Sequence, residues 1–327
     1  MTVTLALAGD TMLGRGVADL LARSAAPEAY VSDGVRAHLS EADAILLNLE
    51  CCVSGRGDPW PAPGKLFHFR APPRAVELLA DLGVSCVTLA NNHALDYGYD
   101  ALLDTLDHLG DAGIGVAGAG ADLERAREPA VLAVRGLRVA VVSVTDHPED
   151  YAATPDRPGV AYADLRSGVP DWLTDTVARM RTEADAVLVS PHWGPNMTAE
   201  PPAYVRAAAT ILADAGATLI AGHSAHLAHG VAPPVLYDMG DFLDDYAVDP
   251  DLRNDLSLLF LVTLDELGPV RLRAVPLELG YCRTALAEGA GRSWIGRRFI
   301  TACEALGTTA TWEDDLLTVD LREAGGG

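Results

Sequence analysis

The sequence has almost no lysine. Lys65 is the only one, and arginine supplies the rest of the 24 basic residues. Against them stand 46 acidic residues, for a formal net charge of −22. A chain so poor in positive charge has little with which to neutralise phosphates, which argues against nucleic acid and anionic membrane surfaces as partners. Cysteine is scarce as well: Cys51, Cys52, Cys86, Cys282 and Cys303 form an odd set with no C-x-x-C pair. Reduced packing cysteines are expected, not a disulfide framework, with Cys51 and Cys52 kept open as site residues because they adjoin Glu50. Long hydrophobic runs are missing. The longest, around Leu256–Leu264, falls far short of the ~20 residues that a membrane helix needs. No basic segment leads into an apolar one at the start, so neither a signal peptide nor a membrane partner is expected, and the chain reads as cytoplasmic.

What is present is the composition of an ordinary globular enzyme, 49% apolar over 327 residues. Val3–Ala8, Ala44–Leu49, Ser85–Ala90, Gly115–Ala117, Ala186–Ser190, Thr218–Ala221 and Val235–Tyr237 read as strands. Helical spacing runs through Val17–Ala25, Pro73–Leu82, Tyr99–Ala112, Trp172–Glu183, Pro201–Ala215 and Ser293–Ala305. Two hairpins are expected, Ala130–Val134 with Val139–Val144 and Asp255–Leu264 with Val270–Pro276. Asp146–Pro170 is proline-rich and without period, which suggests a long ordered loop over the site. Strand–helix alternation followed by a hairpin-rich end predicts an α/β sandwich of two mixed sheets with outer helices. Residues 1–279 are expected to form the catalytic domain and residues 280–327 a C-terminal extension with a fraying glycine-rich end.

Five motifs carry the chemistry: Gly9-Asp10-Thr11-Met12, Asn48-Leu49-Glu50, Asn91-Asn92-His93-Ala94-Leu95-Asp96, Pro191-His192-Trp193-Gly194 and Gly222-His223-Ser224-Ala225-His226. Each follows an apolar run and places a carboxylate, amide or imidazole where that strand should end. Convergence of strand ends is how an α/β sheet builds a ligand site. Carboxylate, side-chain carbonyl and neutral imidazole are also the usual ligands of divalent ions.

The pattern resembles the calcineurin-like metallophosphoesterases, and within them the CapA-like family of poly-γ-glutamate capsule synthesis, from Leu5 to about Tyr246. The resemblance implies a four-layer αββα sandwich. It implies metal ligands at Asp10, Glu50, Asn92, His192 and His223, with His226 completing the final histidine pair. Tyr237–Phe242 is similar to the Gly-Asn-Phe segment of that family. Three departures stand out. Met12 replaces the histidine of an Asp-x-His opening, Glu50 replaces a bridging aspartate, and His223-x-x-His226 replaces His-x-His. Two-metal catalysis needs ions ~3.5–4 Å apart, and the loss of an imidazole weakens one position. One divalent ion is therefore expected, with Ca²⁺, Mn²⁺ or Mg²⁺ favoured by the oxygen-rich set, Zn²⁺ and Fe left open, and no organic cofactor.

The histidines freed from metal binding suit acid–base work. His93 can pair with Asp96, three residues on, and His226 or His229 with Asp10. Arg15 and Arg70 are candidates for holding a substrate carboxylate, and Trp193, Trp60 and Phe67 for an aromatic pocket. Some proteins of this appearance are epimerases of lasso peptides that invert Cα of a C-terminal tryptophan, and this reading ranks first. It makes His93, Asp96, His226 and Asp10 catalytic, Arg15, Arg70 and Trp193 substrate-binding, and a precursor peptide the partner. A metal-dependent phosphoesterase and a poly-γ-glutamate factor are the alternatives. The −22 charge, repulsive towards polyglutamate, counts against the last. A non-catalytic binding module leaves so many ligand-type residues without a task.

Overall fold

The computed structural model describes residues 2–23 and 26–322. The glycine-rich end expected to fray, residues 323–327, lies outside them. The described residues form two large mixed sheets, one of ten strands and one of six, and two small sheets of two strands each. In the larger, Val3–Thr11 is central. It runs parallel to Ala44–Leu49 on one side and antiparallel to Leu256–Asp265 on the other. Val84–Thr88 and Gly115–Ala117 continue the parallel half. Gly268–Gly280 and Leu316–Asp320 continue the antiparallel half. In the smaller sheet Leu137–Thr145, Ala186–His192, Leu219–Ala221 and Val235–Leu236 are parallel, and Ala130–Val134 closes one edge antiparallel.

The strands are apolar on both faces because both faces are covered. Val3, Leu5 and Leu7 point towards the second sheet, together with Val139, Val141 and Leu188. Ala6 and Ala8 point the other way, under the helices Arg15–Ala22, Asp33–Leu39, Ala75–Asp81 and Gly98–Asp111. Ala140, Val142, Val187 and Val189 face the helices Asp171–Glu183 and Ala203–Asp214. Three cores separate four layers, so the chain is an αββα sandwich, as the sequence predicts. Both expected hairpins form. Arg135 and Gly136 take positive φ, 45° and 90°, the two-residue turn that matches strand twist. Two short helices, Asp33–Leu39 and Leu123–Arg127, escape the sequence reading because each is too brief to show a period. Beyond residue 280, Arg283–Leu286, Thr311–Glu313 and Leu316–Asp320 add strands to the larger sheet. Helix Gly289–Ala305 sends Ile295, Phe299 and Cys303 into the layer between the sheets.

One close approach positions the site. The Asp10 N–H donates to Gly240 O at 2.9 Å, and a Cβ on Gly9 would lie 1.8 Å from that oxygen. Gly9→Ala must push two site-bearing segments apart. It is expected to destabilise the fold by ~3 kcal/mol, the scale of a severe overpacking, read as a lowered midpoint in chemical denaturation.

Candidate metal centre

Asp10 is the last residue but one of the central strand and is fully buried. Its Oδ1 accepts from Asn48 Nδ2 at 2.7 Å, and its Oδ2 accepts from the Ser224 N–H at 3.2 Å. Around it stand His223, whose Nδ1 is 3.6 Å from Oδ1, and His226, whose Nδ1 is 3.4 Å from Oδ2. His192, the last residue of its strand, has Nδ1 4.0 Å from Asp10 Oδ1 and 2.8 Å from His223 Nδ1. His223 in turn reaches Ser190 Oγ through Nε2 at 3.1 Å. Glu50 follows its strand directly and gives Oε2 to the Tyr246 hydroxyl at 3.1 Å. Its Oε1 lies 3.9 Å from His192 Nε2. Asn91 braces the next turn, donating to Asn48 Oδ1 and Leu49 O and accepting from the His93 N–H. Asn92 follows it on that turn.

Several buried polar atoms here have no hydrogen-bond partner: Glu50 Oε1, Asn92 Oδ1, His192 Nε2 and Asp241 Oδ2. Orphaned buried acceptors are costly unless something else satisfies them. Two ligands each ~2.1 Å from one ion can stand as far apart as Glu50 Oε1 and His192 Nε2 do. Asp10, His192 and His223 form a second grouping of ligand atoms close enough to share an ion, and Asp10, His226 and Asp241 a third. His192 belongs to the first two arrangements. The charge balance agrees. Burial pushes Asp10 up to about 7 and raises Glu50, Asp238 and Asp241 as well. So many buried carboxylates facing one another call for a cation. The donor set thus fits a divalent ion. His192 and His223 suit it too, since burial and neighbouring histidines hold both neutral, His223 at about 3.

The histidines split into two kinds. Burial opposes a charge on His226, but Asp241, Glu50 and Asp10 overcome it and hold its pKa well above the ordinary value. Its partner is Asp241, with Nδ1 2.8 Å from Oδ1. The turn that delivers it is unusual: Ser224 and His226 have φ of 118° and 59°. Asp238 braces that turn by accepting from the Ala225 and Gly240 N–H groups at 2.7 and 2.9 Å. His93 pairs with Asp96 at 2.6 Å, as the spacing predicts. Asp96 is fully used, accepting also from the Phe69 N–H at 2.6 Å, the Tyr151 hydroxyl at 2.9 Å and Lys65 Nζ at 2.8 Å. Burial outweighs Asp96 and takes His93 down to about 4, a neutral imidazole. Both pairs, His93–Asp96 and His226–Asp241, reach one cleft of about 520 Å³ walled by Phe67, Phe69, Met197 and Tyr246, with Arg15 at its rim.

The structure corrects several expectations. Arg70 stacks 4.1 Å over Tyr97 and donates to Arg56 O and Gly57 O, away from the cleft. Arg15 does reach the cleft, held 3.3 Å from Asp245. Trp193 is buried beneath the outer helices and donates Nε1–H to Tyr237 O at 2.8 Å. Trp60 packs on Tyr99 and Tyr151. The aromatic wall is Phe67, Phe69 and Tyr246 instead. Met12 turns into the core, its sulfur accepting from the Gly14 N–H. The Asp146–Pro170 loop starts at the site, where His147 pairs with Asp146 and its ring lies 5.2 Å from that of His192.

His229 does not meet Asp10; its Nε2 reaches Thr198 O at 2.7 Å. Burial lowers it to about 4. The unfolded chain therefore binds the extra proton between about pH 6.5 and 4. Stability from this group is complete above about 6.5 and is lost as pH falls towards 4, by about 3 kcal/mol. His229→Gln is expected to flatten the stability curve over that window, measured by denaturation at each pH.

Sequence reading missed Asp241, Asp238, Tyr246, Tyr151 and the part played by Lys65. Two signals were available: Lys65 is the sole lysine, and Asp241 stands inside the Tyr237–Phe242 segment already tied to the site.

Fold and cluster together define the class: an αββα sandwich with a buried cluster of carboxylates and imidazoles at its strand ends that could hold a metal ion. Residues 4–246 match the family described as bacterial capsule synthesis protein PGA_cap, and the chain belongs to that family. It is 33% identical, over 97% of its length and 96% of the relative's, to a probable polyglutamine synthesis accessory protein of Mycobacterium tuberculosis. It is 28% identical to the PGA biosynthesis protein CapA of Bacillus subtilis, covering 83% of this chain and 70% of that one. A hypothetical protein from Thermus thermophilus superposes over 84% of this chain and 99% of its own with a TM-score of 0.44 and 18% identity. The family match and the relatives in Mycobacterium tuberculosis and Bacillus subtilis favour the polyglutamate reading that net charge had set behind the epimerase reading. Among the described residues no helix is long and apolar enough to cross a membrane.

Proposed function

We propose that the protein is a metal-dependent factor in making or processing a glutamate polymer, as in the PGA biosynthesis for which its Bacillus subtilis relative is named. One observation carries this reading. The stretch shared with the capsule synthesis family, residues 4–246, contains every candidate metal ligand and both His–Asp pairs. It opens before Asp10 and ends on Tyr246, whose hydroxyl holds Glu50. A divalent ion bound by Glu50, Asn92, His192 and their neighbours would supply a Lewis acid for a carbonyl or carboxylate oxygen. The chain's own groups provide the rest. Arg15 takes a carboxylate at the cleft rim, neutral His93 accepts a proton, and charged His226 donates one. Poly-γ-glutamate incubated with the metal-loaded protein is expected to change in chain length or end groups, and to stay unchanged with a chelator. Polymer unaltered under both conditions, together with no measurable binding, would reject the reading.

A second reading is supported by the facing pairs His93–Asp96 and His226–Asp241 in one aromatic cleft. Removal of a proton from one side of a carbon and delivery on the other is the work of an epimerase, here at Cα of the C-terminal tryptophan of a lasso-type precursor peptide. Candidate peptides incubated in D₂O then gain deuterium at that Cα; its absence rejects this reading. A phosphoesterase has less support, because Met12 leaves the opening metal position without its imidazole. Turnover of an aryl phosphate with Mn²⁺ would revive it.

A further inference from the structure

The segments that wall the cleft run on into a second hollow. Asn196 and Met197 line the cleft, while Ala199, Glu200 and Pro201 line a groove of about 650 Å³. Likewise His226 faces the cleft and Gly230 the groove. The two hollows are neighbours along the same pair of chain segments. The far wall of the groove is helix Gly289–Ala305, with Trp294, Arg297 and Arg298, and Arg206 comes from helix Ala203–Asp214.

Arginine is outnumbered in this chain, and many arginines elsewhere are neutralised, while others such as Arg70 stack on a ring and bond carbonyls instead. Arg36 pairs with Asp81, Arg56 with Asp104, Arg253 with Asp255 and Arg292 with Asp315. Among the described residues, Arg206, Arg297 and Arg298 enter no ion pair with a carboxylate, though all of them line one groove. Arg298 also has Nη2 buried with no hydrogen-bond partner, its guanidinium 5.5 Å from the Trp294 ring. Glu200 is the one acidic residue of the lining. Guanidinium groups with no carboxylate partner, gathered on the walls of one groove, are matched by an oxyanion. In a protein of net charge −22 this patch also focuses anions where the rest of the surface repels them.

We infer that this groove is a second binding site of the protein, an arginine cradle that takes oxyanions, filled by the carboxylates of an extended chain whose reacting end lies in the aromatic cleft. The identity of that chain rests on the glutamate-polymer reading above; the anion site itself does not. Guanidinium groups bind free α-carboxylates of γ-linked glutamate bidentately, and the Trp294 face covers the methylene spacers. The net charge that seemed to repel polyglutamate is thereby reconciled with binding it.

Arg206→Glu with Arg297→Glu reverses two exposed charges and leaves the cores intact. The experiment measures binding of labelled oligo-γ-glutamate, of uncharged oligoglutamine and of inorganic phosphate to the wild-type and double-variant chains. Oligo-γ-glutamate is expected to bind the wild type, to weaken with salt, and to lose ten-fold or more in the variant, while oligoglutamine does not bind. Equal binding of oligo-γ-glutamate by both chains overturns the groove and leaves the polymer reading standing. Phosphate binding lost in the variant, with no binding of oligo-γ-glutamate to the wild type, supports the anion site and overturns the polymer reading. No anion binding that depends on these arginines overturns the inference.

Discussion

Replacing His192 with alanine is expected to abolish tight binding of a divalent ion and the activity that depends on it. His192 is common to two groupings of donor atoms, one through Nδ1 with Asp10 and His223, the other through Nε2 with Glu50. Its Nε2 is buried and without a partner, so nothing in the protein competes for that lone pair. Loss of an outer-shell partner typically costs ~10–100-fold in metal affinity, and removal of a direct ligand should cost more. His192 is buried, and the truncation also opens a cavity. Glu50→Gln separates the two effects. It keeps the side-chain shape and the contact with Tyr246 and removes only the charge at Oε1. Both variants are expected to fold and to fail in calorimetric titration with Mn²⁺. Tight binding by either one would remove its residue from the centre.

His93→Ala is expected to lower the rate of the chemical step by ~10²–10⁴, the usual contribution of a positioned acid or base, with metal binding retained. The reason is geometric. His93 lines the cleft, and its ring is held between Phe69, with centroids 4.1 Å apart, and Asp96. Asp96→Asn should reproduce most of the loss, because it removes the acceptor that fixes the imidazole tautomer. It should also destabilise the fold, since Lys65 loses its carboxylate at 2.8 Å in a largely buried position. Full activity in His93→Ala would transfer the base role elsewhere.

Much of this molecule is written in local pattern. Strands buried on both faces must be apolar throughout, so Ala44–Leu49 and Ala186–His192 stand out against amphipathic helices such as Gly98–Asp111. Polar residues that close such runs gather where the carboxyl ends of the parallel strands of both sheets meet, which is why Asp10, Glu50 and His192 were legible. His93 and Asp96 were legible because three residues in a turn bring them together. What depends on distant segments was not. Asp241 reaches His226 only because its strand lies beside Val3–Thr11, and Tyr246 meets Glu50 across 196 residues of sequence. Arg15 and Arg70 look alike in sequence, yet one faces the cleft and the other a tyrosine ring. Trp193 adjoins a ligand but alternates to the outer face of its sheet, where helices bury it. The unpaired arginines of the groove come from two helices far apart in the chain, so no spacing announces them.

We propose that these strand ends hold a single metal ion. Met12 is lost to the core and His226 is engaged by Asp241, which weakens one of the positions a two-metal site needs. The most direct test is titration of metal-free protein with Mn²⁺ followed by elemental analysis of the washed complex. One tightly held ion per chain, lost in His192→Ala, is the expected result. No tight ion, or two, would contradict it.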